Sequence, residues 1–449
     1  MLKYMIMEHF GGEIENNSEE MLSPEAIVRT IDQWRTHPRV DDNRIRAFAK
    51  AFCDRMSTDD RLKQSVEFMV DYQTDPTTFE IGGTREPTVH TPEQAADQIL
   101  RSLQHIGMIL EEVPQLLDKL LEISQKLPDE SKQVVGSPNP NYAFPRSYRK
   151  SAAWDSLIDY TLSNPYFHEM FDYDLSYRRV QTNVADRYKG IHLPMSILSE
   201  KYFPEQEISW LDIGTSIGLG PRAEIKGIPF SLNLGVKRQF PDLYSNDGFD
   251  YAKDNRLAGD WVKRLEAPIN YAHIDGVDLT GFNDIIQIMW VRASYYPTEL
   301  HIKSITRQFD TLRQIEDPKL DFHVANFADE LSVARFSAET GDRKYDFVSA
   351  VTMHHQLGGT AEVLEFDRLA KSMLSENGFY IRQGFMHVNP ASPTGLFFPK
   401  NWGALDYRTI IESPGINIPP TEIFQWQNAR CNELVIPGDR EVNRLLRSS

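Results

Sequence analysis

His354 and His355 follow an apolar run, Lys344–Val351, that reads as a buried strand opened by Asp346. Histidine is the side chain best suited to exchange a proton near neutral pH. At a strand end it can take a proton from a hydroxyl or amine nucleophile. It can equally serve only to pack and hydrogen-bond beneath a ligand. Successive side chains of an extended segment face opposite sides, so one of the pair faces the reacting atoms. The expectation is His355, because His354 follows Thr352 to the other side.

Three further stretches carry residues of the same kind. Ile208–Ile213 is a short apolar run that includes Asp212 and gives way to Gly214, Thr215, Ser216, Ile217, Gly218, Leu219 and Gly220. Glycines here permit positive φ and close approach to the backbone. A strand running into such a turn is how open α/β sheets hold small ligands at their carboxyl ends. Ile274–Thr280 reads as a second strand ending in Asp278 and Leu279, with Asp275 as the competing acid. A carboxylate in that place can accept two hydrogen bonds from a diol. Leu320–Asp329 reads as a third strand and its loop, presenting Asn326 and Phe327.

The order and spacing of these strand ends resemble the class I S-adenosylmethionine-dependent methyltransferases, over about residues 185–436. The resemblance implies an α/β domain with a doubly wound, seven-stranded sheet that binds S-adenosyl-L-methionine. Asp212, Gly214, Thr215, Ser216 and Gly218 would then form the first cofactor motif, with Ser216 where the middle glycine usually stands. Asp278, with Leu279, would hold the ribose. Asn326 or Phe327 would meet the adenine, with Asp329 slightly too late. Thr352, His354 and His355 would lie beside the transferred methyl group. Tyr188, from the helical stretch before the first strand, would touch the cofactor. The implied reaction is methyl transfer to oxygen or nitrogen of a small molecule. The sequence lacks the Asn-Pro-Pro-Tyr that marks methylation of exocyclic base amines.

Two other readings stay open. A methyltransferase-like domain can act as a non-catalytic scaffold, which the serine at position 216 and the long segment 223–270 favour. Gly218–Ala223 also fits the dinucleotide fingerprint of a nicotinamide-dependent oxidoreductase. Pro221 in the turn and Asp212 before it count against that.

The elements around these stretches set the expected organisation. Ser23-Pro24-Glu25 and Thr91-Pro92-Glu93 are helix starts, each with a hydroxyl cap and a proline at the first helical position. Helices are expected from about Asp42 to Met56 and from about Asp59 to Tyr72. Ile99, Leu103, Ile106, Leu110, Val113, Leu117 and Leu120 form one apolar stripe. The stripe suits a helical core, or a seam between two copies. Prolines and glycine between 128 and 147 mark a linker, so the expected domains are a helical one over 1–149 and the α/β one over 150–449.

Composition narrows the classes. The chain has 449 residues, 41% of them hydrophobic, and a net charge of −17. An acidic chain is a poor general binder of nucleic acid or anionic membranes. Cys53 and Cys431 are its only cysteines, which gives no disulfide framework or zinc-finger spacing, and no metal ligand set is assigned. No apolar run reaches the length of a membrane span, and the first ten residues, with Lys3, Glu8 and His9, lack a signal-peptide core. A cytoplasmic protein with a small-molecule substrate and a possible homodimer through the helical part is the resulting expectation.

Overall fold

The computed structural model describes residues 22–36, 43–74, 91–112, 150–176, 178, 185–226, 267–279, 285–294, 312, 314–354, 357, 360–397, 407–426, 431 and 434–435. The expected linker at 128–147, most of segment 223–270 and His355 lie outside them. Contacts divide the chain into two compact units, one from residues 1–182 with 285–308, the other from 183–284 with 309–449.

The first unit is helical. It contains α1 (Pro24–Thr36), α2 (Asn43–Met56), α3 (Asp60–Thr74), α4 (Pro92–Glu112), α5 (Ser151–Ser163) and α6 (Pro165–Ser176), and, later in the chain, α9 (Ile285–Ala293). Both expected caps form. The Ser23 hydroxyl accepts the Ala26 amide at 3.2 Å. Thr91 and Gln94 exchange side-chain-to-amide bonds, each 3.3 Å, as a reciprocal capping box. The α5 and α6 helices belong to this unit rather than to the α/β part. Trp154 is fully buried and stands edge-on to Phe48 of α2, with ring centroids 5.3 Å apart. Arg55 of α2 donates to Asp155 at 2.5 Å and to Asp159 at 3.3 Å.

Of the expected stripe, the part on α4 is used inside the chain, while Val113, Leu117 and Leu120 lie outside the described residues. Ile99, Leu103 and Ile106 are fully buried and Leu110 nearly so. Those four positions therefore present no exposed surface for a seam between copies. Polar positions of α4 are buried too. His105 Nδ1 lies 2.6 Å from Asp174 of α6, and Nε2 lies 2.9 Å from the Ile286 carbonyl of α9.

The second unit is α/β. A short 3-10 turn (Ala185–Tyr188) leads into α7 (Lys189–Tyr202), β1 (Ile208–Ile213), α8 (Leu219–Ile225) and β2 (Tyr271–Asp278). After α9 come β3 (Leu320–Val324), α10 (Glu330–Glu339), β4 (Tyr345–Val351), α11 (Thr360–Ser372) and β5 (Leu374–Phe385). The chain then forms β6 (His387–Val388), β7 (Leu396–Phe397), β8 (Tyr407–Ser413), β9 (Ile418–Trp426) and β10 (Leu434–Val435).

The main sheet runs β10-β9-β8-β5-β4-β1-β2-β3. From β3 to β5 neighbours are parallel, and from β5 to β10 they are antiparallel. It is thus a mixed sheet of seven strands extended by the two-residue β10. Helices cover both faces. On one, Val333 and Phe336 of α10 and Phe366 and Leu369 of α11 join Leu211, Ile213, Val277 and Val348 in one apolar core. On the other, Phe203 after α7 meets Phe347 and Phe379, and Tyr188 meets Trp210. Helices on both faces of a largely parallel sheet give a Rossmann-like arrangement.

Local sequence does not announce β9. Pro419 and Pro420 near its start argue against a strand. They are tolerated because β10 pairs only with Trp426 and Gln425, at the far end, so no described outer neighbour needs the missing amides. Asp346, the acid that opens β4, accepts the Ser209 amide of β1 at 3.0 Å and the Ser375 hydroxyl of β5 at 3.1 Å. It fixes three parallel strands at one end. No described helix is long and apolar enough to cross a membrane.

Candidate functional site

In an open α/β sheet, ligands bind beyond the carboxyl ends of the strands, where the strand order reverses. Here that place lies between β1 and β4, since β2 and β3 extend from β1 one way and β4 and β5 the other. The turn after β1 enters it. Gly214 and Gly218 have φ of 75° and 71°, and Ser216 is held at 54°. A non-glycine residue in the left-handed region costs roughly 1 kcal/mol or more and needs outside support. Ser216 has that support. Its amide donates to Asp278 Oδ2 at 2.6 Å, while the Leu279 amide donates to Oδ1 at 2.7 Å. The Gly214 and Thr215 amides also bond the Val277 carbonyl, at 2.8 and 3.1 Å. The first turn is thus tied to the end of β2 by backbone and by one carboxylate.

Asp212 occupies a different level. It is fully buried. Oδ1 accepts from the Ser349 hydroxyl at 2.6 Å and Oδ2 from the Tyr188 hydroxyl at 2.7 Å. Trp210 Nε1 donates in turn to Ser349 at 2.9 Å. Burial pushes the Asp212 pKa up, and the hydroxyls of Ser349, Tyr188 and Thr215 pull against it, leaving it at about 6. Burial, then the Asp212 charge, raises the Tyr188 hydroxyl well above its ordinary value. Asp212 is therefore part of the floor of the turn, and Tyr188 is its lid.

The glycines make room for the protein's own side chains. A side chain at Gly214 would overlap Met353, one at Gly218 would overlap Phe322, and one at Gly220 would overlap the Tyr188 ring. Arg222 of α8 seals this corner, donating to the Ile217 carbonyl at 2.6 Å with its guanidinium 4.4 Å from the Phe322 ring centre. Met353, Phe322 and Ser349 were not singled out in the sequence. Nothing in their types marks them, because they matter through contacts to residues far along the chain.

At the end of β4, Thr352 is buried with φ of 58°. Its hydroxyl lies 2.7 Å from Tyr407 Oη and 3.3 Å from Arg187 Nη1. His354 is buried on the α11 side. Nε2 lies 2.7 Å from Asp367 Oδ1, and the ring stands edge-on to Phe366 at 5.4 Å. Tyr380 and Arg382 both donate to Asp367, each at 2.8 Å, and Arg382 also reaches Glu412 at 2.9 Å. Burial works against ionised Asp367, but His354 and Arg382 outweigh it and hold its pKa well below the carboxylate range. This network joins β4, α11, β5 and β8. His355 lies outside the described residues.

The loop after β3 divides its expected pair. Asn326 is exposed, and its side-chain oxygen accepts the Ala328 amide at 2.9 Å. Phe327 is buried against Phe336 and Phe366, at 5.7 and 6.5 Å. Its ring belongs to the core. Asp329 caps α10 through the Leu331 and Ser332 amides. Leu279, just after β2, and Val324, the last residue of β3, are instead exposed, at 56% and 61%. They form an apolar rim beside Asp278.

The structure thus brings Asp212, Gly214, Thr215, Ser216, Gly218, Asp278, Leu279, Thr352 and Tyr188 to one end of the sheet. It places His354 and Phe327 beneath it, and Asn326 at the adjoining loop. Chemically, the end offers a carboxylate, a tight backbone turn and an apolar rim, which suit a small ligand with a diol and a planar ring. Comparison of the sequence with known protein families and with characterised proteins finds no match to either.

Proposed function

We propose that this chain binds S-adenosylmethionine at the carboxyl ends of β1, β2 and β4 and transfers its methyl group to oxygen or nitrogen of a small molecule. The observation that carries this reading is the pairing of Asp278 with the Ser216 amide, which sets an acid against a glycine-rich turn at the point where the strand order reverses. The Asp278 carboxylate would accept the ribose hydroxyls, and Leu279 with Val324 would lie against the adenine. With the acceptor held in line, transfer at the sulfonium needs no more than proximity when the nucleophile is already deprotonated. His355 is the proposed base when it is not.

The test is a thermal-shift series with S-adenosylmethionine, S-adenosylhomocysteine and the two nicotinamide dinucleotides. Stabilisation by the first pair alone is expected. Stabilisation by a dinucleotide alone would replace this reading with an oxidoreductase. A second reading has its own support. Met353, Phe322 and Tyr188 fill the space against the glycines, and His354 is bound into a buried network. Those contacts suit a non-catalytic member that retains the fold as a scaffold. Binding without methylated product across a panel of alcohols, phenols and amines would favour it.

A further inference from the structure

A second polar cluster lies on the face of β2 and β3 that α10 covers, away from the turn after β1. Alternation along a strand puts His273 and Asp275 on one side of β2 and Asp321 and His323 on one side of β3. The two strands are parallel, with Asp275 opposite Asp321 and Val277 opposite His323. The His-x-Asp of one strand therefore meets the Asp-x-His of the next. The His273 and His323 Nε2 atoms converge on Asp275 Oδ1, at 2.9 and 2.8 Å. Asp321 Oδ2 lies 3.5 Å from His273 Nε2. One nitrogen of His273 and one oxygen each of Asp275 and Asp321 all lie within 4.8 Å of one another.

The rest of Asp275 is fixed from behind. Arg343 Nη1 donates to Oδ2 at 2.6 Å and the Tyr345 hydroxyl at 2.5 Å. The carboxylate thus has one oxygen oriented by outer partners and the other turned toward two imidazoles, which is how metal-ligating carboxylates are held. The cluster is also reachable. Asp275 is fully buried, but the side chains of His273, His323 and Asp321 are 14%, 19% and 61% exposed. A hydrogen-bonded hub alone would explain Asp275. It does not explain why a second carboxylate, that of Asp321, also stands beside His273 in a volume open to water.

We propose that His273, Asp275, Asp321 and His323 form a binding site for a divalent transition metal of the zinc type. Zinc takes His nitrogen and carboxylate oxygen at about 2.0–2.2 Å, which puts tetrahedral ligands roughly 3.3–3.5 Å apart. The 3.5 Å separation of His273 and Asp321 fits that spacing, and the shorter ones open when an ion replaces the two N–H···O bonds. Each imidazole then carries its proton on Nδ1 and offers Nε2 to the ion. Mixed nitrogen and oxygen ligands select zinc, copper, nickel or cobalt over magnesium and calcium, which take oxygen sets. The ion would cross-link β3, the last strand of the parallel half, to β2. The proposal stands apart from the methyl-transfer reading, since no ligand of the ion belongs to that site.

The experiment is titration calorimetry of the EDTA-stripped full chain with zinc chloride, with a thermal melt of the loaded and stripped forms. One saturable equivalent and a higher melting temperature are expected. Asp321→Asn changes an exposed side chain without removing a core contact, and His273→Gln removes one nitrogen ligand. Each should weaken that equivalent at least about tenfold, the lower scale of losses around metal sites. His168→Gln, in the helical unit, should leave it intact. Cobalt should give a visible absorption band that Asp321→Asn weakens. Absence of a saturable equivalent, or one that persists unchanged in both Asp321→Asn and His273→Gln, would overturn the site.

Discussion

The Tyr188 hydroxyl donates to Asp212 Oδ2 at 2.7 Å, and the ring of the same tyrosine stands where a side chain on Gly220 would go. One residue ahead of α7 thus holds both the acid in β1 and the first turn of α8. Tyr188→Phe keeps the ring and removes the donor, leaving a buried carboxylate oxygen short of a partner. The expected cost is about 1–3 kcal/mol. Gly220→Ala, which overlaps the ring, should cost about as much through overpacking. Urea unfolding of the α/β unit measures both. A loss under a few tenths of a kcal/mol in each would show that Tyr188 does not hold the turn.

The buried Asp212 predicts a pH effect of unusual sign for a carboxylate. Its pKa in the fold is about 6. In the unfolded chain it is about 3.9. The native state therefore binds the extra proton between those values, and stability from this group falls as pH rises from about 4 to 6. About two units correspond to roughly 2–3 kcal/mol. Asp212→Asn should lack this slope, so the variant gains on the parent by about that amount between pH 4 and 7. Parallel stability profiles across this range would contradict the assignment.

Asp278 tests the cofactor reading. Asp278→Ala removes the acceptor proposed for the ribose and also frees the Ser216 amide. Titration calorimetry with S-adenosylhomocysteine should show binding weaker by about 1.5–3 kcal/mol, the scale of hydrogen bonds to a charged group. Equal affinity in a variant with an unchanged circular dichroism spectrum removes Asp278 from the site.

The two histidines after β4 should separate cleanly. His354→Ala breaks a buried bond to Asp367 and opens space beside Phe366, so it should cost about 2–4 kcal/mol in denaturant unfolding. His355→Ala should spare stability and lower turnover by roughly 10²–10⁴-fold, with donor affinity nearly unchanged and partial rescue at high pH. The assignment fails if His354→Ala leaves stability unchanged while His355→Ala lowers it.

The helical unit predicts where the chain can be cut. Trp154 fills a site against Phe48, and Trp154→Ala should cost that unit about 3–5 kcal/mol. A chain beginning at residue 150 would keep α5 and α6 but lose α2 and α4, exposing Trp154 and Phe167. It should aggregate on expression. A soluble monomer with a cooperative melt would argue against the contacts that place α5 and α6 with the N-terminal helices.

The elements whose signals are local were legible in the residues alone. Ser23-Pro24-Glu25 and Thr91-Pro92-Glu93 started helices because a hydroxyl cap and a proline act within one turn. The strands at Ile208, Ile274, Leu320 and Tyr345 were legible because buried parallel strands are short apolar runs. Gly214, Ser216 and Asp278 were legible as strand-end residues because each ends or follows such a run, and the structure makes them neighbours. What these residues face follows from the fold. Asp212 reads as a ligand acid, yet its oxygens go to Tyr188 and Ser349, which no spacing rule connects to it. Phe327 reads as a stacking platform but lies against Phe336 and Phe366. Trp154 sits beyond a Pro-rich stretch, but its partner Phe48 lies before it. The His-x-Asp and Asp-x-His pairs acquire meaning only when β2 and β3 align in register. In each case the deciding contact joins residues distant in sequence, and local pattern carries no record of which apolar or polar surface will be covered by which.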